Sequence, residues 1–263
     1  MTLAFRLWHT GFIAGIRLQL AIFRRGFDNF LALVTVPLFT IAFLAITRYA
    51  GRSDLTAYAV LAPAIVAVVG MAILTSGEIV TDDRAQGRLE LVLAAPTPFP
   101  IIVAGRVLTV TLTSLVAVLE AWIVAWIVFG VAVPVPHVGP FVAALAVTAF
   151  ATAGTALMMS AVFVAARSAR TFQNTISYPL YLLGGAFVPI SLLPGFLQPL
   201  CRIVYLSWAT DLLRSCLGRA AVVDFWPRLG VIAGLGLAGF AIGCVVLVRV
   251  IDRALATGRV GHE

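Results

Sequence analysis

Long uncharged apolar runs alternate with short polar interruptions along this chain, and the alternation lays out its elements. Residues 1–27 mix Arg6, Arg17, Arg24 and Arg25 with Leu3, Phe5, Trp8, Phe12, Ile16, Leu20 and Phe23. Such a segment is too charged to span a bilayer and too apolar to float free, so it predicts an amphipathic helix in the membrane interface. Its Gly11-Phe-Ile-Ala-Gly15 pattern carries little weight as a helix-pairing motif, being common by chance. The first uncharged run covers 19 residues, 29–47. At 1.5 Å each they reach about 28 Å, close to the roughly 30 Å of a hydrocarbon core. Further runs cover 55–77, kinked at Pro63; 101–129, interrupted by Arg106 and Glu120; 141–166; 172–193, bent at its outer end by Gly184-Gly185 and Pro189; and 229–248, rich in Gly. Between the last two, residues 194–227 repeat apolar positions at helical intervals among Arg202, Asp211, Arg214 and Arg219, which predicts short amphipathic helices dipping into the membrane edge. The expected fold is all-α: a polytopic membrane protein with six transmembrane helices, an N-terminal amphipathic helix over 1–27, and short outer re-entrant helices over 194–227 between the fifth and sixth spans. Together they form a single transmembrane domain, 1–263.

One interruption differs from the rest. Residues 78–100 open with Glu78, Asp82, Asp83, Arg84, Arg88 and Glu90 and close on Pro96, Pro98 and Pro100, in a chain only 11% charged. Asp83 followed by Gln86 offers a capping-box-like helix start, Leu89, Val92 and Leu93 form an apolar stripe at helical spacing, and Arg84 and Arg88 lie a turn apart. A short helix with one apolar face and charged flanks can insert into a groove on a soluble partner; the plainer reading is a solvated loop whose charges fix topology. With six spans both termini lie on one side. Placing them inside puts twelve arginines on the inner side and six outside, which makes this stretch cytoplasmic.

Composition then narrows the chemistry. The chain is 62% hydrophobic with a mean hydropathy of +1.07, outside the range of soluble domains. All 18 basic residues are Arg. The phosphate-cradling loop of nucleotide-driven enzymes needs a Lys, as does Schiff-base catalysis, so ATP-driven work has to come from another polypeptide. The formal charge of +7 does not indicate nucleic acid, because the arginines sit at the ends of apolar runs, where they set topology and meet lipid headgroups. Cys201, Cys216 and Cys244 follow no metal spacing, and His9, His137 and His262 lack a carboxylate or thiol at ligand distance in sequence. Neither a metal site nor a catalytic constellation is expected.

Glu120 is the sharpest single residue, since a carboxylate within a span is costly and faces a cavity or a partner. It could line a substrate path, bond to a Thr or Ser of the fourth or fifth span, or belong to a proton relay. Asp211 and Arg214, at i and i+3, are expected to form a structural pair on one outer helix.

The run Asp82-Asp83-Arg84-Ala85-Gln86-Gly87-Arg88-Leu89-Glu90-Leu91-Val92-Leu93-Ala94-Ala95-Pro96, followed by Gly105-Arg106, resembles the cytoplasmic segment of type-2 ATP-binding-cassette exporter permeases. Leu193-Pro194-Gly195-Phe196 and the later Asp211-Leu212-Leu213-Arg214 resemble that family's outer elements, although Leu206-Ser207-Trp208-Ala209 replaces the Asn-Pro found in many members. The resemblance implies a non-enzymatic transport subunit, with no cofactor of its own, in a bacterial plasma membrane and with both termini cytoplasmic. It also implies a homo- or heterodimer of permeases docked on a nucleotide-binding ATPase that binds ATP and magnesium. Asp82, Asp83, Arg84, Gly87, Arg88, Leu89, Glu90, Val92 and Leu93 then become the ATPase-coupling residues. Expected cargoes are amphipathic drugs, antibiotics or lipids; lipid-linked polysaccharide is the alternative, and a membrane-embedded lipid-modifying enzyme a more distant one.

Overall fold

The computed structural model describes residues 2–25, 29–52, 55–165, 169–187, 190 and 193–256, and those residues are helical and irregular with no strand. Pro189 and His262, named above, lie outside them. In chain order the helices are α1 (Thr2–Arg25), α2 (Asn29–Tyr49), α3 (Thr56–Ala85), α4 (Leu89–Leu93), α5 (Phe99–Ser114), α6 (Val116–Phe129), α7 (Val138–Ala165), α8 (Ala169–Leu183), α9 (Gln198–Cys201), α10 (Tyr205–Leu217) and α11 (Phe225–Ala256).

Among the described residues, four helices are long and apolar enough to cross a membrane: Thr56–Ala85, Phe99–Phe129, Val138–Val162 and Phe225–Arg253. The expected first span is represented by the shorter apolar stretch Thr35–Tyr49. The fifth stops earlier than expected, at Leu183, because Gly185 turns left-handed (φ 67°) and the chain closes a Schellman motif there. The Gly185 N–H donates to Leu182 O (3.1 Å) and the Ala186 N–H to Tyr181 O (3.0 Å). Fifteen residues give α8 a length of only about 22 Å. The third span is one apolar unit with a local tightening at Leu115, where the bonds Leu115 N–H to Leu112 O (3.3 Å) and Val118 N–H to Leu115 O (3.0 Å) skip three residues instead of four. Thr109, Thr111, Thr113 and Ser114 all bond back to their own helix's carbonyls just before that point, which is a recognised cause of helix bending.

α3 is the axle of the fold. It packs against α2, α5, α6, α7, α8 and α10, runs unbroken through Pro63, and is apolar on all sides over its membrane portion, as a helix enclosed by others must be. Around it α1 lies along α5, and α11 lies along α7. Both pairings depend on missing side chains. A Cβ on Gly15 would meet Ile102 O at 2.2 Å, and one on Gly105 would meet Phe12 O at 2.4 Å, so two glycines facing each other's backbones set the α1–α5 distance. Gly11 likewise abuts Thr97. The Gly11–Gly15 pattern therefore does seat a helix, contrary to the reading from sequence. Gly236, Gly239 and Gly243 do the same for α11 on Ala151, Gly154 and Leu157–Met158, whereas Gly230 and Gly234 face open space.

Candidate functional site

The charged stretch is not a separate cytoplasmic loop. Glu78–Ala85 continues α3 for two more turns, and the helix ends in a second Schellman motif. The Gly87 N–H donates to Arg84 O (3.1 Å), the Arg88 N–H donates to Asp83 O (2.8 Å), and Gly87 takes the left-handed conformation (φ 66°) that glycine adopts without steric cost. Asp83 and Gln86 consequently do not cap a helix start: Asp83 lies in the last turn of α3 and Gln86 is its C-cap residue. The short helix of this stretch is α4, five residues long, without a side-chain cap and ending before Pro96.

The motif normally closes with an apolar contact between its first and last members. Here Asp83 and Arg88 replace it with an ion pair. Arg88 Nε and Nη2 reach Asp83 Oδ1 at 3.2 and 3.1 Å, while Arg106 Nη1, from α5, donates to Asp83 Oδ2. Arg106 Nε then donates to Gln19 Oε1 of α1 at 3.0 Å. Asp83 is fully buried, and Arg106 and Gln19 are each only 2% exposed. Each carboxylate oxygen meets a different guanidinium, which is what allows a charge to sit here at all. One cluster therefore joins α1, α5 and the end of α3 to the turn that launches α4. Gly15 and Gly105 bring α1 close enough to α5 for the Gln19–Arg106 bond, so the close approach and the cluster are one construction.

The expected coupling residues divide into two groups. Asp83, Arg88 and Leu89 face inward; Leu89 is 5% exposed and Val92 and Leu93 pack beside it against the main core. The apolar stripe thus seats α4 on its own chain. Asp82, Arg84, Gly87 and Glu90 face out, together with Leu91, which is 75% exposed. Gln19 and Arg106 belong to the site although the sequence reading gave neither a coupling role. Their signals were a polar residue on the glycine face of α1 (11, 15, 19) and a charge at the start of an apolar run.

Above this cluster lies a cavity of about 560 Å³ between α1, α2, α3, α5 and α6. Its wall on α3 runs from Pro63 through Met71 and Leu74 to Glu78 and Asp82; its wall on α5–α6 carries Arg106, Thr113 and Glu120 at intervals of seven, a single helical face. Glu120 Oε2 is buried without a hydrogen-bond partner, so the Thr or Ser expected from the fourth or fifth span does not supply one.

On the opposite end of the bundle, Asp211 and Arg214 stand 4.0 Å apart, yet each has a nearer partner. Asp211 accepts from Arg202 at 3.3 Å, and the Arg202 guanidinium lies over Trp208. Arg214 Nη2 donates to Gly185 O and Ala186 O, Thr210 Oγ1 donates to Gly184 O (2.8 Å), and the Arg214 guanidinium stacks 4.1 Å from the Tyr58 ring centroid. One face of α10 thus caps the carbonyl end of α8, where positive charge is favoured. Cys201 and Cys216 are buried and unpaired, and burial pushes both thiols up from their ordinary range. Among the described residues no group of His, Cys, Asp and Glu could hold a metal ion.

No curated protein and no solved structure matches the chain. The family profile of the ABC-2 type transporters matches residues 10–217, from the glycine face of α1 to the last residue of α10. With that match over most of its length, this multi-pass helical protein belongs to the ABC-2 type transporter family, as a permease subunit.

Proposed function

We propose that this permease is one half of the pathway of an ATP-driven exporter of amphipathic compounds, with α2 and α8 completing six membrane crossings. Its ATPase partner, which binds ATP and magnesium, docks from the cytoplasm on the exposed side of α4 and the adjoining end of α3: Asp82, Arg84, Glu90 and Leu91. A second permease subunit, identical or homologous, supplies the other half. The termini lie in the cytoplasm of a bacterial cell.

The observation that carries this reading is the buried cluster of Gln19, Asp83, Arg88 and Arg106. A five-residue helix cannot transmit force by itself, since isolated short helices are unstable in water. Tied through the buried ion pair to α1, α5 and the end of α3, α4 becomes the exposed end of a rigid lever. A push from the partner then biases the equilibrium between two arrangements of the bundle.

The test is co-purification of the chain with a nucleotide-binding-cassette ATPase encoded beside it. Glu90→Lys combined with Leu91→Asp alters only exposed side chains, so the permease should unfold as before, whereas ATPase retention and its stimulation by the permease should be lost. Retention of a stimulated ATPase by this double variant would place the docking face elsewhere.

A further inference from the structure

We propose that the cavity between α1, α2, α3, α5 and α6 is a binding site for a monocationic amphiphile, its positive centre against Glu120 and its apolar body against Phe23, Phe39, Met71 and Leu74. The chain carries only 11 acidic residues against 18 basic ones, yet three of the acidic ones, Glu78, Asp82 and Glu120, line this one space. The two guanidiniums in the same wall, Arg88 and Arg106, are both engaged by the buried Asp83 behind them. Asp83, Arg88 and Arg106 together keep one net positive charge, but Arg106 stands 14 residues from Glu120, about 21 Å along the helical wall, so the deep part of the cavity holds Glu120 as its charged group.

Glu120 is the decisive residue. A carboxylate at this depth is expensive unless paired, and its Oε2 is buried without a partner. The nearest hydroxyls on its own face are committed to their helix: Thr113 Oγ1 donates to Val110 O (2.8 Å) and Ser114 Oγ to Thr111 O (2.7 Å). The surrounding wall, Pro63, Val66, Ala67, Val116 and Ala117, offers no cation. What the site lacks is a positive charge delivered on an apolar body, and a volume of about 560 Å³ lies within the range of small-molecule sites. Aromatic rings along the wall favour the same ligand, because their faces attract cations. The wall on α3 runs from Pro63 to Asp82, 19 helical rises of 1.5 Å or about 28 Å. Glu120 holds the cation within that length.

This inference rests on the export reading only for the ligand's destination, so binding is measured without the ATPase and is separable from transport. The full chain in phosphatidylcholine nanodiscs is titrated with radiolabelled tetraphenylphosphonium, and in parallel with tetraphenylborate, which has the same shape and the opposite charge; empty discs are subtracted. A single saturable site for the phosphonium and none for the borate is expected. Glu120→Gln weakens the phosphonium by about tenfold or more, the scale of one charge contact, while Glu120→Asp retains binding. Met71→Trp, which fills the cavity and leaves Glu120 intact, abolishes the site and decides the matter if Glu120→Gln does not fold. Saturable borate binding of equal strength, undiminished binding by a folded Glu120→Gln, or undiminished binding by Met71→Trp each overturns the proposal.

Discussion

Replacing Asp83 by Ala should be the most damaging single truncation in the buried cluster of Gln19, Asp83, Arg88 and Arg106. The carboxylate is fully buried, and its removal leaves the Arg106 side chain, 3% exposed, as a cation without a counter-charge, its remaining partner the amide of Gln19. Breaking a buried pair by deleting one partner typically costs about 3–5 kcal/mol. Arg88 adds little to that figure: its side chain is 29% exposed, and on losing Asp83 it turns to water, a change of below about 1 kcal/mol. The same reasoning fixes an order. Arg106→Ala leaves Asp83 still paired with Arg88 and so costs less than Asp83→Ala; Arg88→Ala costs least, since Asp83 keeps its buried partner. The double replacement Asp83→Leu with Arg106→Met removes both charges at similar volume and should recover most of the loss. These differences can be read by titrating the full chain in mixed micelles with dodecyl sulfate and following the fluorescence of its five tryptophans. If Asp83→Ala and Arg88→Ala were equally mild, or if the double variant were no better than Asp83→Ala, the cluster would not be the lock on α3, α5 and α1 that its geometry describes.

Two further outcomes follow from the packing. Gly15→Ala and Gly105→Ala each set a methyl against backbone at 2.2 and 2.4 Å, so each should destabilise by about 1–3 kcal/mol. Because one widening of the α1–α5 gap relieves both, the pair should cost less than the sum, and strict additivity in the same unfolding assay would show that the helices do not move as a unit. At the opposite end of the bundle, Arg214→Met removes the charged donor to Gly185 O and Ala186 O and should cost about 1.5–3 kcal/mol. Arg214→Lys should recover only part of it, for one nitrogen, Nη2, reaches both carbonyls and an ammonium can do the same, but an ammonium cannot lie flat on the Tyr58 ring; a Lys variant no better than Met would refute the capping role.

The apolar runs were legible in the sequence because bilayer thickness imposes a length on them, and the residues 56–85, 99–129, 138–162 and 225–253 answer to it. What escaped was wherever a local pattern has two physical readings. Asp83 and Gln86 have the spacing of a helix start, yet Gly87, one position further, is the stronger signal, since a left-handed glycine followed by a bond from Arg88 to Asp83 ends a helix. Reading Gly87 as punctuation would have extended α3 to Ala85 and turned Asp83 inward. The apolar stripe of Leu89, Val92 and Leu93 was correctly periodic, but periodicity gives a buried face without saying what buries it; here it is the chain's own core. Gly11 and Gly15 were discounted because small-residue spacings are frequent by chance. Only a partner decides such a motif, and the partner, Gly105, sits beside the very Arg106 that the motif brings to Gln19. The two features are informative together and weak alone. That coincidence also gives the cluster its meaning: a buried arginine is tolerated at the start of a span because two glycines admit an amide from α1 and the end of α3 folds a carboxylate onto it. The polar cluster and two of the smallest residues in the chain are therefore parts of a single joint, and α4 with the adjoining end of α3 is its exposed side.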